Sequence, residues 1–270
     1  MKSADQSTTG KLGRSICMMT RKPGDRPCFF YQRRRGRRRK KETKMHIEPG
    51  VVNEAKIALS HAAAAGAAGL IIKYSVDTVR QSNSAAFALR SVVAALLTLF
   101  FFEVLPKFPV GVSEVHFIFG STLFLLFGAA PAAIGLAVGL AIQSLFLAPA
   151  DLPQYFMNVS TLLFPLFAIS WVAGRIIAPN TAYVDCTFKQ ALKLSATYQA
   201  GIVAWVAFWA FYGQGFGADN ISAITSFGLA YLSVILIEPI ADVALLAIAK
   251  LRRDMASSRL FTPRLVQLDG

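Results

Sequence analysis

The chain has three histidines, His46, His61 and His116, and the first follows Met45 directly. If Met45 is the amino terminus, that adjacency has a chemical consequence. A free α-amine, the backbone nitrogen of residue two and that residue's imidazole wrap one metal ion in fused chelate rings, placing three nitrogens in a plane. One further imidazole closes a square, a geometry that suits Ni(II) and Cu(II) and that low-spin Co(II) accepts. His116 is the candidate fourth nitrogen. Without such a partnership, His46 reads as an interfacial polar residue and His116 as an ordinary helix-end residue. His61 could orient a ligand through a hydrogen bond or serve as a packed or water-facing polar group. Glu238 and Asp242 lie four apart in an apolar stretch, hence on one helix face. Acids at membrane depth are functional suspects by default, although these two could equally cap the bonds broken by Pro239 or pair with an Arg of another subunit.

The elements that must position these residues follow from composition. Of 270 residues, 54% are hydrophobic and only 16% charged, against about 25% charged in ordinary globular domains. A soluble enzyme is therefore not expected. The formal charge is nevertheless +13, and nearly all of it lies before Met45. Residues 1–44 contain 15 Lys/Arg against 3 Asp/Glu, with the run Arg33-Arg34-Arg35-Gly36-Arg37-Arg38-Arg39-Lys40-Lys41. Such a stretch cannot bury a core and reads as a basic disordered extension. Two of the three cysteines, Cys17 and Cys28, lie in it, so neither a disulfide framework nor a cysteine metal site is indicated. After Met45, seven apolar stretches alternate with short polar breaks: roughly 55–72, 85–105, 115–129, 132–148, 155–178, 195–212 and 221–251. The third and fourth meet at Ala130-Pro131 and could be one broken element. Unpaired backbone is not tolerated in lipid, so such runs are read as helices. The expected fold is an all-α polytopic membrane protein of about seven transmembrane helices. Its expected parts are a non-functional extension over 1–44, a transmembrane domain over 45–254 and a cytoplasmic tail over 255–270.

Orientation follows from the basic residues. With Met45 outside, the inner loops and tail collect Lys73, Arg80, Arg90, Arg175, Lys189, Lys193, Lys250, Arg252, Arg253, Arg259 and Arg264, leaving only Lys56 and Lys107 outside. That topology leaves the basic extension on the disfavoured side. Initiation or cleavage at Met45 is therefore expected, and a nucleic-acid partner is not. His116 then sits at the outer mouth of the third helix, on the same side as Met45.

The opening Met45-His46-Ile47-Glu48-Pro49-Gly50 resembles the Met-His-Ile-Pro-Asp/Glu-Gly start of the CbiM/NikM family. These are the substrate-binding membrane components of energy-coupling factor transporters for cobalt and nickel. The segment Val112-Ser113-Glu114-Val115-His116-Phe117-Ile118-Phe119-Gly120 is similar to the family's Ser-Gly-His-Leu-Leu-Gly block, and Gln143 to Asn158 is similar to its Gln-x-Leu-Leu-Phe…Asn-Met block. The resemblance spans about residues 45–250 and is most specific at the opening hexapeptide. It implies that Met45, through its amine, together with His46 and His116, holds Co(II) or Ni(II) as transported substrate, with no resident cofactor. It also implies a transmembrane coupling protein, ATPase subunits and a small auxiliary membrane subunit as partners, in a bacterial inner membrane. The chain departs from the pattern at Glu48-Pro49, where the acid and proline are exchanged, and at Glu114-Val115, where smaller residues are usual. Both changes bear on the choice of metal.

Four further residues, Ser113, Glu114, Gln143 and Asn158, fall near the outer helix ends and are candidate groups around the metal, as is His61. Ala58, Ala62 and Gly66 repeat at four-residue spacing in the first helix. Small residues at that period permit close helix approach, either within the protein or, as the resemblance suggests, against the coupling subunit. No G-x-x-x-x-G-K-[ST], H-E-x-x-H or G-x-S-x-G occurs, so neither ATP hydrolysis nor another hydrolytic activity has a candidate site. Two rival readings remain: an intramembrane haem or metal redox protein using His61 and His116, and a passive metal channel.

Overall fold

A computed structural model describes residues 54–81, 83–179 and 181–251, together with Thr262 and Leu265. All belong to the larger of the two units into which the chain divides, Thr43–Gly270. Met45 and His46 lie outside the described residues, as does the basic extension.

Among the described residues there are seven α-helices: α1 (Glu54–Gln81), α2 (Ser84–Glu103), α3 (Gly120–Phe127), α4 (Ala129–Ile142), α5 (Tyr155–Ile176), α6 (Phe188–Gln214) and α7 (Ala218–Leu251). Six helical segments are long and apolar enough to cross a membrane; α3 is not. The protein is thus a multi-pass membrane protein. Local chemistry sets several boundaries. Asn83 caps α2 by accepting from the Ala85 amide at 2.8 Å. Thr187 and Gln190 form a reciprocal capping box at the start of α6. α1 runs past Ile72 to Gln81, because polar residues such as Lys73, Asp77 and Arg80 continue a helix freely once it leaves hydrocarbon.

The third apolar stretch departs from expectation. Residues 115–129 do not form one helix with His116 at its mouth. A β-hairpin, β1 (Lys107–Val110) and β2 (Ser113–His116), comes first, pairing Lys107 with His116 and Val110 with Ser113. Its turn needs Gly111, which has φ +61° and lies so close to α7 that an added Cβ would fall 2.0 Å from the Ala223 carbonyl oxygen. Residues 117–119 are irregular, and only then does α3 begin. α3 and α4 are separate, broken at Gly128 with φ +88°, while Pro131 is accommodated in the first turn of α4, where its missing N–H is not needed.

Side-chain contacts order the ends of these elements. His61, early in α1, meets Phe156 at the start of α5 with ring centroids 4.4 Å apart. Phe102, at the end of α2, meets His116. These ends share one face of the bundle with the hairpin. On the opposite face, Asp185 in the α5–α6 connection pairs with Lys250 at the end of α7. The C-terminal end of α3 reaches that same far face: Phe124 packs on Tyr183, and the Leu126 carbonyl accepts from the Thr262 amide at 2.9 Å. α3 therefore runs from the hairpin towards the far face with only eight helical residues, about 12 Å of rise, preceded by the irregular residues 117–119.

Candidate metal-capture cleft

Irregular backbone inside a membrane bundle must have its polar groups satisfied by protein. Glu238 of α7 does this for the Phe119 amide, and Asp242 of the same helix anchors side chains of the first turn of α3. Glu238, fully buried, accepts from the Phe119 amide at 2.8 Å through Oε1, and from Ser195 Oγ at 3.1 Å and Gln199 Nε2 at 2.6 Å through Oε2. One turn further, Asp242 accepts from Ser121 Oγ at 2.8 Å and from Thr122 Oγ1. The Phe119 amide and the Ser121 and Thr122 hydroxyls at the start of α3 thus meet two carboxylates, the favourable sign for a helix N-terminus. Phe119 itself is left-handed (φ 53°, ψ 39°), and it is the one non-glycine residue with positive φ among the described residues. For a bulky side chain that conformation costs on the order of 1–3 kcal/mol and persists because its surroundings hold it.

Between the hairpin and the helix ends lies a small cleft, partly open to solvent. Ser113, Glu114 and His116 of β2 line it, with Asn158 and Thr161 of α5. Phe102, Ile202, Val206, Phe227 and Tyr231 supply apolar and aromatic wall. His116 is half-buried; its ring lies 4.9 Å from that of Phe102, and the Tyr231 phenol meets its backbone. Glu114 is buried. Asn158 is buried as well, and its Nδ2 has no hydrogen-bond partner among the described residues. A few convergent polar groups in a mostly apolar cleft are the usual form of a small-ligand site.

Of the residues singled out from sequence, Ser113, Glu114, His116 and Asn158 come together here. Gln143 does not: it is buried behind the α4 end and donates to Glu103 Oε1 at 2.6 Å. His61 is exposed on α1, with Nδ1 2.7 Å from the Ile57 carbonyl, and lines no part of the cleft. Ala58, Ala62 and Gly66 are exposed along α1, and the nearest atom to a Cβ built on Gly66 is Phe164 Cζ at 3.9 Å. The aromatic walls were not foreseen, because Phe102 and Tyr231 sit in apolar runs whose composition gives no sign of a pocket. No group of three or more His, Cys, Asp or Glu is clustered for metal binding among the described residues.

The fold and cleft define a polytopic helical membrane protein with one histidine-bearing site on its hairpin face. Residues 46–255 match the model of the CbiM family, described as the cobalt uptake substrate-specific transmembrane region. The chain belongs to that family, and cobalt is the transported substrate that this membership implies. No curated protein and no solved structure matches the chain.

Proposed function

We propose that this protein is the substrate-capture component of an energy-coupling factor importer, taking Co(II) or Ni(II) at the hairpin face and releasing it at the opposite one. The observation that carries this reading is the position of His116, within a cleft that Ser113, Glu114 and Asn158 also line, in a chain of the CbiM family. In this account the Met45 amine, the His46 backbone nitrogen and the His46 imidazole supply three nitrogens, and His116 supplies the fourth. α1 supports the assignment: its N-terminal end lies on the hairpin face, and the eight residues from His46 to Glu54 reach up to about 27 Å when extended. Proton release accompanies binding, because amine and imidazole ligate only when unprotonated. Buried Glu114 supplies negative charge beside the cation.

Charge asymmetry supports the direction of transport. Lys73, Arg80, Arg90, Arg175, Lys189, Lys193 and Lys250 sit in helix ends or connections of the far face, while Lys56 and Lys107 sit at the hairpin face. By the positive-inside tendency the hairpin face is external. Partners are a transmembrane coupling protein, ATPase subunits and a small auxiliary membrane subunit, and the exposed small-residue face of α1 is where the coupling protein docks. The redox reading needs His61 and His116 on one cofactor, and those two residues line different surfaces. Uptake of Co(II) into proteoliposomes tests the proposal. Uptake is expected only with ATP and the partner subunits; Co(II) entry without them would establish a passive channel, and a haem absorption band in the purified protein would establish the redox reading.

A further inference from the structure

We propose that Glu238 is a positioning residue for the metal histidine, acting on His116 through the backbone amide of Phe119. The inference rests on the reading of His116 as a cation ligand. His116 ends β2, where it pairs with Lys107, and only Phe117, Ile118 and Phe119 separate it from α3. Those three residues have no ladder or helix of their own to fix them. Their side chains pack, Ile118 in the core and Phe119 against Phe101, and what fixes their backbone is the left-handed turn at Phe119 and the 2.8 Å bond from its amide to Glu238 Oε1.

The two oxygens of Glu238 do different jobs. Oε2 is tethered to α6 by Ser195 and Gln199, so the carboxylate is a fixed point of the α6–α7 pair. Oε1 reaches across to the segment that follows His116. The imidazole is therefore held on one side by the hairpin ladder and on the other by a carboxylate 122 positions away in sequence. A square of nitrogens tolerates little displacement of any corner, so a slackened Phe119 turn moves His116 off its position in the ligand plane.

Attachment of α3 to α7 does not depend on Glu238 alone. Asp242 takes the hydroxyls of Ser121 and Thr122 one turn further on, so loss of Glu238 leaves α3 docked while freeing the turn before it. The amide variant has a ready accommodation. Gln199 Oε1 has no hydrogen-bond partner among the described residues, so a flipped Gln199 amide can accept from the Nε2 of a glutamine at 238. That glutamine's carbonyl still receives the Phe119 amide.

The test is Co(II) titration, in detergent, of the protein whose amino terminus is Met45, reading affinity and the visible absorption of bound Co(II), with thermal unfolding as the fold control. Glu238→Ala is expected to weaken Co(II) binding roughly 10- to 100-fold, as loss of a ligand-orienting partner does, and to shift the Co(II) band in protein that still unfolds cooperatively. Glu238→Gln is expected to restore most of both. If Glu238→Ala does not fold, Ser195→Ala, which loosens only Oε2, takes its place and is expected to weaken binding in the same direction with the same spectral shift. Wild-type affinity and spectrum in a folded Glu238→Ala or Ser195→Ala protein, alongside lost binding in His116→Ala, would overturn the positioning role alone. Retained binding in His116→Ala would instead remove the site reading on which it rests.

Discussion

The ring of Tyr198 closes on the α-carbon of Gly120: a Cβ added there would fall 2.1, 2.4 and 2.6 Å from three of its ring carbons. Tyr198 is fully buried in α6, so the ring has no open side to retreat to. Gly120 opens α3 and follows Phe119 directly, which makes this contact part of how α3 is seated. Gly120→Ala is expected to destabilise the protein by about 1–3 kcal/mol, read as a lower unfolding temperature in detergent. Gly69→Ala is the comparison: nothing lies within 4 Å of a Cβ at Gly69, and its stability is expected to stay within about 0.5 kcal/mol of wild type.

Asn158 keeps a buried amide nitrogen without a hydrogen-bond partner among the described residues, at the edge of the cleft. Such a donor costs on the order of 1–3 kcal/mol and is of the kind retained for function at the expense of stability. Asn158→Leu is expected to raise or preserve the unfolding temperature while weakening Co(II) binding roughly tenfold, in the range of groups that support metal ligands. A variant that lost stability and kept its affinity would make Asn158 a packing residue.

The exposed small face of α1 separates docking from folding. Ala62 is exposed, so Ala62→Leu is expected to leave thermal unfolding and Co(II) affinity unchanged and to reduce ATP-driven uptake in the presence of the partner subunits. Unchanged uptake would move the coupling surface to another helix.

The proposed chelate needs an amine at residue 45. Intact mass and N-terminal sequencing of Co(II)-loaded protein are expected to begin at Met45. Loaded protein that retains Met1 would remove the amine from the ligand set, since Met45 would then contribute an amide.

Much of the fold was legible because lipid leaves few alternatives: six of the seven helices coincide, within a few turns, with apolar stretches. The third was misread for a physical reason. An apolar run does not distinguish a buried strand from a helix, and Val115 is equally apolar in either. The signals that favoured a hairpin, Pro109 and Gly111, stood just upstream of the run. The third and fourth apolar stretches meet at Ala130-Pro131, whereas the break between the helices is at Gly128. Within the cleft, Ser113, Glu114, His116 and Asn158 are polar residues flanking apolar stretches, which is how type and position single them out, although the first three sit on a strand and not at a helix end. Gln143 has the same type and position, yet it opens the π-helical turn after α4 and hydrogen-bonds Glu103 instead. The acids Glu238 and Asp242 are conspicuous in the sequence, but their partners are not, because nothing in it indicates that α3 starts four residues after His116, with the Phe119 amide and the Ser121 and Thr122 hydroxyls turned to α7.

Calorimetric titration of Co(II) onto purified wild-type protein and onto His116→Ala tests the metal site most directly. His116 is half-buried at a strand end, so its truncation removes little packing, and the variant is expected to keep its helix content and cooperative unfolding. It is also expected to lose one of four nitrogens, with affinity falling by more than about 100-fold, beyond the range for a merely supporting group. Wild-type affinity in a folded His116→Ala protein would contradict the account and place the cation elsewhere.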